Sequence, residues 1–253
     1  MEQPDTLDAL CAALAQHHRH HRGLVLCHGG GKDINRNLKW LGEAPQFKDG
    51  LRVTSEAAMA VVEMTLSGSV NKTLVSLLQR HGARACGISG VDGGTLTCRP
   101  LDPDLGRVGE VSKVDAGLVE TLLHAGFLPV LSPVSADIHH AHYNVNADEA
   151  ASALAVAMQA TRLFFVSDVP GVLDESTRII PKLNRDSIQE LIARGVATGG
   201  IIPKLKSCAQ AVEAGVGAVH ICGFDGADAL REQLKGQKHA GTVIEPAAPA
   251  SPA

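Results

Sequence analysis

Short apolar runs alternate along most of this chain with stretches in which apolar residues recur every three to four positions. Residues 24–27, 83–88, 128–131, 162–166 and 218–222 are apolar, bounded by turn formers and too short for helices, so they predict buried strands. Helical spacing predicts helices over 7–17, 32–41, 57–80, 116–125, 149–157, 187–194 and 206–214. Strand–helix–strand alternation implies right-handed βαβ units on a mostly parallel sheet. Residues 94–99 and 107–111 predict a hairpin across the turn-rich LDPDLG, and 171–180 predicts another. The Pro/Ala-rich tail, 246–253, is expected to be disordered.

Composition narrows the function classes. Of 253 residues, 45% are hydrophobic and 20% charged, which describes a globular chain. The 23 basic residues are outnumbered by 27 acidic ones, and seven aromatics offer little for base stacking, so a nucleic-acid partner is not expected. No apolar run reaches the roughly 18 residues that span a bilayer, so no membrane partner is expected. The start, MEQPDTLDAL, is too acidic for a targeting peptide. Six cysteines without CxxC spacing read as reduced, buried thiols, so a cytoplasmic location is expected. The run QHHRHHR (16–22) has no nearby carboxylate or cysteine partner and reads as a solvated helix end.

Open parallel sheets bind ligands beyond the carboxyl ends of their strands. The segments just after three of the strands are small and expose backbone: HGGG (28–31), SGVDGG (89–94) and SDVPG (167–171). Gly29 to Gly31 precede a helix and can present N–H groups to an anion, although a tight turn is the alternative. The segment is neither a P-loop, because Leu26 and Asp33 fill the required glycine and Ser/Thr positions, nor GxGxxG, because Ile34 fills the last glycine. Arg52, in GLRVT, can clamp a carboxylate or be an ordinary surface arginine. In YNVNAD (143–148), one of Asn146 and Asp148 caps the following helix, and the other polar groups want a second explanation. GGIIPK (199–204) puts Lys204, a compact charge suited to phosphate oxygens, at a helix start.

The order of these motifs is the specific signal. HGGG, GLRVT, VVEM (61–64) with Gly68 and VNK (70–72), SGVDG, DLGRVGEV, GFLPVLSP, YNVNAD, SDVPGVLD and GGIIPK together resemble the acetylglutamate kinases of the amino acid kinase family. The resemblance covers residues 7–244. It implies a three-layer αβα sandwich with a mainly parallel central sheet: a single domain over 1–245, with an acyl amino acid-binding lobe and dimer region (1–160) and an ATP-binding lobe (161–245). It also implies a homodimer. The implied reaction transfers the γ-phosphoryl group of ATP, accompanied by Mg2+, to the side-chain carboxylate of N-acetyl-L-glutamate, the second step of arginine biosynthesis. Carried over by position, Gly30 and Gly31 donate N–H bonds near the reacting groups, Arg52 holds the α-carboxylate and Asn144 binds N-acetylglutamate. Asp168, Val169, Pro170, Gly171, Val172 and Leu173, with Val196, Ala197, Thr198, Gly199, Gly200, Ile201, Ile202, Pro203 and Lys204, line the nucleotide site. Lys204 neutralises phosphate charge, Asp148 orients the catalytic lysine, and no protein group binds the metal. Alternatives are a catalytically silent ligand-binding homologue and a kinase for a related acyl amino acid.

One feature of the family pattern is missing. Members begin with a strand carrying Lys-x-Gly-Gly, whose lysine faces the moving phosphoryl; no such segment precedes HGGG here. Removing one such charge costs about 10²–10³ in rate. In-frame codons upstream of Met1 are expected to encode it. Lys32 is the candidate substitute.

Overall fold

The computed structural model describes residues 4–48, 50–198, 201–237 and 240–247. The chain divides into two compact units, Met1–Ala151 and Ser152–Ala253.

In the first unit, α1 (Pro4–His20) leads into β1 (Leu26–Cys27), α2 (Gly31–Trp40) and the hairpin β2 (Gln46–Lys48) and β3 (Leu51–Val53). Then come α3 (Glu56–Glu63), α4 (Asn71–Arg80), β4 (Ala85–Ser89), β5 (Leu96–Pro100), β6 (Val108–Val114), α5 (Gly117–His124), β7 (Leu128–Ser132), β8 (Val134–Ala136) and β9 (His142–Val145). The mostly apolar β7 is buried along its length and pairs in parallel with β1 on one side and β4 on the other. The expected hairpin over 94–99 and 107–111 forms as antiparallel β5 and β6. Strands β8 and β9, not apparent from the pattern, close it into a four-stranded barrel.

The expected continuous helix over 57–80 is interrupted. Residues Met64–Val70 form a π-helical turn between α3 and α4. The sequence MTLSGSV invites this: hydroxyls compete for helix carbonyls, with Ser69 Oγ donating to Thr65 and Thr73 Oγ1 to Ser69, and Gly68 is a poor helix former. The widened turn carries Leu66 into one core cluster with Ile34 and Leu38 of α2 and with Ala58, Val61 and Val62 of α3. π turns of this kind collect at functional sites.

Helix α6 (Ala147–Ala157) begins in the first unit. The second holds β10 (Leu163–Val166), β11 (Lys182–Leu183), α7 (Arg185–Ala193), α8 (Ile201–Glu213), β12 (Val219–Cys222), α9 (Ala227–Leu234) and β13 (Thr242–Ile244), with strand order β10-β12-β13-β11. β10 and β12 are parallel, β13 runs antiparallel to β12, and β11 is parallel to β13. The second expected hairpin, over 171–180, reduces to one bridge between Leu173 and Ile179, because Asp174 Oδ1 gathers the N–H groups of Ser176 and Arg178 into a local turn. The α/β class with parallel strands is the one expected. The expected disordered tail lies outside the described residues from 248 onward.

Two smaller expectations need correction or detail. His18, in the histidine run, is buried rather than solvated: α1 turns it inward, where Nε2 lies 3.4 Å from the Gly126 carbonyl and burial lowers its pKa. The cysteines are free thiols. Cys11, Cys98, Cys208 and Cys222 are buried, Cys27 and Cys86 half-buried, and desolvation pushes Cys27 and Cys98 to about 12.

Candidate functional site

The first unit gathers one cluster at the end of β1. Gly29 and Gly30 lead into α2, whose N-terminus has no side-chain cap, so its first amides remain available to an anion. A Cβ at residue 30 would lie 2.7 Å from Leu66 Cδ2 of the π turn, so any side chain there has to displace that methyl. The first residue of α6, Ala147, lies alongside, its Cβ 3.6 Å from where a Gly29 Cβ would be.

Arg52 reaches this loop from β3. Its Nη2 donates to the Gly31 carbonyl at 3.1 Å, whereas Nη1 is buried without a hydrogen-bond partner. The guanidinium lies over the Phe47 ring, 4.9 Å from the centroid. Desolvation lowers the Arg52 pKa. A buried, half-satisfied guanidinium is costly unless an anion completes it. Behind it, buried Thr54 donates from Oγ1 to the Arg52 carbonyl at 3.2 Å and accepts from Asn144 Nδ2 at 3.3 Å. Arg52 thus meets the glycine run directly, and Asn144 joins it through Thr54.

At α6, the cap falls to Asn146, whose Oδ1 accepts from the N–H groups of Asp148 (2.9 Å) and Glu149 (3.2 Å). Asn144 and half-buried Asp148 do not cap the helix. The hairpin that carries Arg52 is tied down by Lys48, which bonds Asp102 at 3.0 Å and Asp104 at 2.7 Å; these carboxylates push its pKa up to about 12. The SGVDGG loop is occupied with itself: Ser89 donates from both N–H and Oγ to Asp92 Oδ2 at 2.7 Å. Lys32 is exposed in the first turn of α2.

The second unit gathers another cluster where β10 ends. Ser167 and Asp168 follow the strand, with Ser167 N–H bonded to the Cys222 carbonyl of β12. Lys204 lies in the first turn of α8, and its Nζ sits 5.0 Å from the ring centroid of Phe165 on β10. Pro203 fits there because the first-turn N–H groups need no partner within the helix. The 168–173 loop is held by Thr242, whose Oγ1 accepts from Val172 N–H at 2.8 Å and donates to the Ile180 carbonyl at 2.7 Å. Gly241 makes this approach possible: its φ is +88°, and a Cβ would fall 2.2 Å from the Ile221 carbonyl oxygen. Ala197 is buried and Val196 half-buried after α7, while Thr198 is exposed; Gly199 and Gly200 lie outside the described residues. Phe47, Phe165 and Thr242 are not marked by any motif in the sequence, and Thr54, which ends GLRVT, is given no role by it. The alternation that makes Phe47 and Arg52 cross-strand neighbours is the one signal available for them.

Glycine amides, an open helix start and a buried guanidinium in one unit, with a lysine in the first turn of a helix in the other, are groups suited to anions on an α/β scaffold. The chain matches the amino acid kinase family over residues 1–223 and belongs to that family. Within it, an acetylglutamate kinase of Campylobacter fetus is 47% identical over 198 residues, which span 78% of this chain and 71% of that one. An acetylglutamate kinase of Chloroflexus aurantiacus is 43% identical over 230 residues, 89% of each chain. Among solved structures, smu.665 of Streptococcus mutans superposes with a TM-score of 0.81 at 29% identity, covering 97% of this chain and 93% of that one.

Proposed function

We propose that this protein is an acetylglutamate kinase: it transfers the γ-phosphoryl group of ATP to the side-chain carboxylate of N-acetyl-L-glutamate, giving N-acetyl-L-glutamyl 5-phosphate for arginine biosynthesis. The observation that carries the reading is the buried, unpartnered Nη1 of Arg52 beside the glycine run, a receptor for one carboxylate next to amides for a second anion. In the first unit, Arg52 takes the α-carboxylate, Asn144 the acetylamino group, and Gly30 and Gly31 N–H groups the reacting oxygens. Asp148 orients a catalytic lysine. In the second unit, residues 168–173 and 196–204 hold the nucleotide and Lys204 offsets phosphate charge. Magnesium arrives on ATP and neutralises its phosphates. Among the described residues no group of three or more His, Cys, Asp or Glu is placed to bind a metal.

The chemistry suits these groups. A glutamate-type carboxylate, with pKa about 4.3, is ionised at neutral pH and needs no general base. Its oxygen bonds to the γ-phosphorus, the bond to the β–γ bridging oxygen breaks, and ADP leaves with the electron pair. Catalysis then consists of alignment and charge cancellation. The protein is expected to act in the cytoplasm as a homodimer. Calorimetry with N-acetylglutamate, glutamate and N-acetylaminoadipate, with hydroxylamine trapping of acyl phosphate in ATP and Mg2+, tests the reading. N-acetylglutamate should bind best and yield hydroxamate. Equal binding of glutamate overturns the substrate assignment, and binding without hydroxamate points to a silent ligand-binding homologue.

A further inference from the structure

Behind the glycine run lies a buried polar chain that the proposed reaction leaves without a role. His28, the residue after β1, is buried, and both ring nitrogens are engaged: Nδ1 lies 2.9 Å from the Gly29 carbonyl oxygen and Nε2 3.1 Å from Asn71 Nδ2. Asn71 is fully buried at the start of α4, and it determines which nitrogen carries the proton. Its Oδ1 accepts from the Lys72 ammonium at 2.9 Å, which fixes the amide's orientation. Nδ2 faces three acceptors, the Val130 carbonyl at 2.9 Å, His28 Nε2 at 3.1 Å and the Ile88 carbonyl at 3.4 Å, and its two hydrogens go to the two nearer ones. Nε2 is therefore an acceptor, the ring proton sits on Nδ1, and Nδ1–H donates to Gly29. Glycine at 87 makes room for this: a Cβ there would fall 1.9 Å from Asn71 Oδ1.

The Gly29 carbonyl and the Gly30 N–H belong to one trans peptide and point in opposite directions. A peptide between glycines otherwise turns easily. We infer that His28 and Asn71 are positioning residues which, by anchoring the Gly29 carbonyl on a buried ring, aim the Gly30 N–H at the transferring phosphoryl group. Burial and the nearby Lys72 charge lower the His28 pKa, which keeps the ring in the neutral form this arrangement needs. The inference rests on the kinase reading for the phosphoryl group, and on the geometry alone for the peptide's orientation.

The test separates the two ring nitrogens. In His28→Asn the side-chain NH2 takes the place of Nδ1 and still reaches Gly29; His28→Gln reaches the place of Nε2 and leaves Gly29 unanchored. We expect H28N to keep kcat within about threefold, and H28Q and Asn71→Leu to lose about 10–100-fold in kcat, with KM for N-acetylglutamate unchanged because Arg52 is untouched. Equal losses in H28N and H28Q, or losses confined to KM, overturn the inference. Nitrogen-15 NMR of the unsubstituted protein provides a readout independent of turnover and of variant folding: the His28 ring should be the Nδ1–H tautomer, and an Nε2–H ring overturns the inference. An Nδ1–H ring in a protein that makes no acyl phosphate counts against the kinase reading and leaves the peptide's orientation intact.

Discussion

Phe47 and Arg52 are directly opposed across the β2–β3 hairpin, and the guanidinium lies 4.9 Å from the ring centroid. The ring supports one face of a cation whose hydrogen bond among the described residues is to the Gly31 carbonyl, yet Phe47 is itself 55% exposed. Arg52→Ala should therefore raise KM for N-acetylglutamate by about 10²–10³-fold through loss of charged hydrogen bonds, and Arg52→Lys should rescue little, because an ammonium cannot form the planar fork. Phe47→Leu, which keeps bulk without the ring quadrupole, should raise KM by about 2–5-fold. Steady-state kinetics with a melting curve for each variant checks both.

The glycine run makes a sharper structural prediction. A methyl group at residue 30 collides with Leu66 at 2.7 Å, whereas at residue 31 the nearest atom is Arg52 Nη2 at 3.9 Å. Gly30→Ala should cost about 1–3 kcal/mol of stability and most of kcat, and Gly31→Ala much less stability. The double variant Gly30→Ala/Leu66→Ala should recover part of the kcat lost in G30A, measured at a temperature where both are folded.

Much of this site is legible in the sequence because its parts are local. A strand end, the glycines after it and the adjoining helix start lie within a few residues, as in 26–31, and the periodicity switch exposes them. The cap at α6 is equally local, although two candidates spaced two residues apart, Asn146 and Asp148, could not be separated by pattern. The parts that escape pattern depend on distant pairing. Thr242 acts on residues 70 and 62 positions away, and Thr54 meets Asn144 across 90. The π turn is hidden because residues 57–80 keep nearly helical spacing while hydroxyls and Gly68 reroute the backbone bonds.

Lys204 should act on turnover rather than on the acyl substrate. Lys204→Met keeps an unbranched side chain and removes the ammonium that sits over Phe165, so kcat should fall about 10²–10³-fold while N-acetylglutamate affinity, measured by calorimetry, stays constant. A parallel loss of N-acetylglutamate binding would contradict its assignment to the nucleotide.

Thr242→Val preserves shape and leaves Val172 N–H and the Ile180 carbonyl without their shared partner. We expect about 1–3 kcal/mol of destabilisation and a higher KM for ATP, with KM for N-acetylglutamate unchanged. Denaturant melts and paired substrate titrations distinguish this from general unfolding, which would affect both constants.

Glu149 gives a pH signature with a definite sign. Desolvation, joined by the neighbouring Glu110 charge, raises its pKa above the usual carboxylate value, although Val111 N–H donates to Oε1 at 2.6 Å and opposes the shift. A folded state that holds this proton more tightly than the unfolded chain is penalised above the raised pKa, where the buried group must ionise. The penalty disappears as pH falls below the unfolded value of about 4.3. Glu149→Gln keeps an oxygen for Val111 and removes the charge. It should therefore raise the melting temperature at pH 7, and the gain should shrink toward zero near pH 4. A gain that persists unchanged into acid would show that Glu149 acts through packing rather than through its charge.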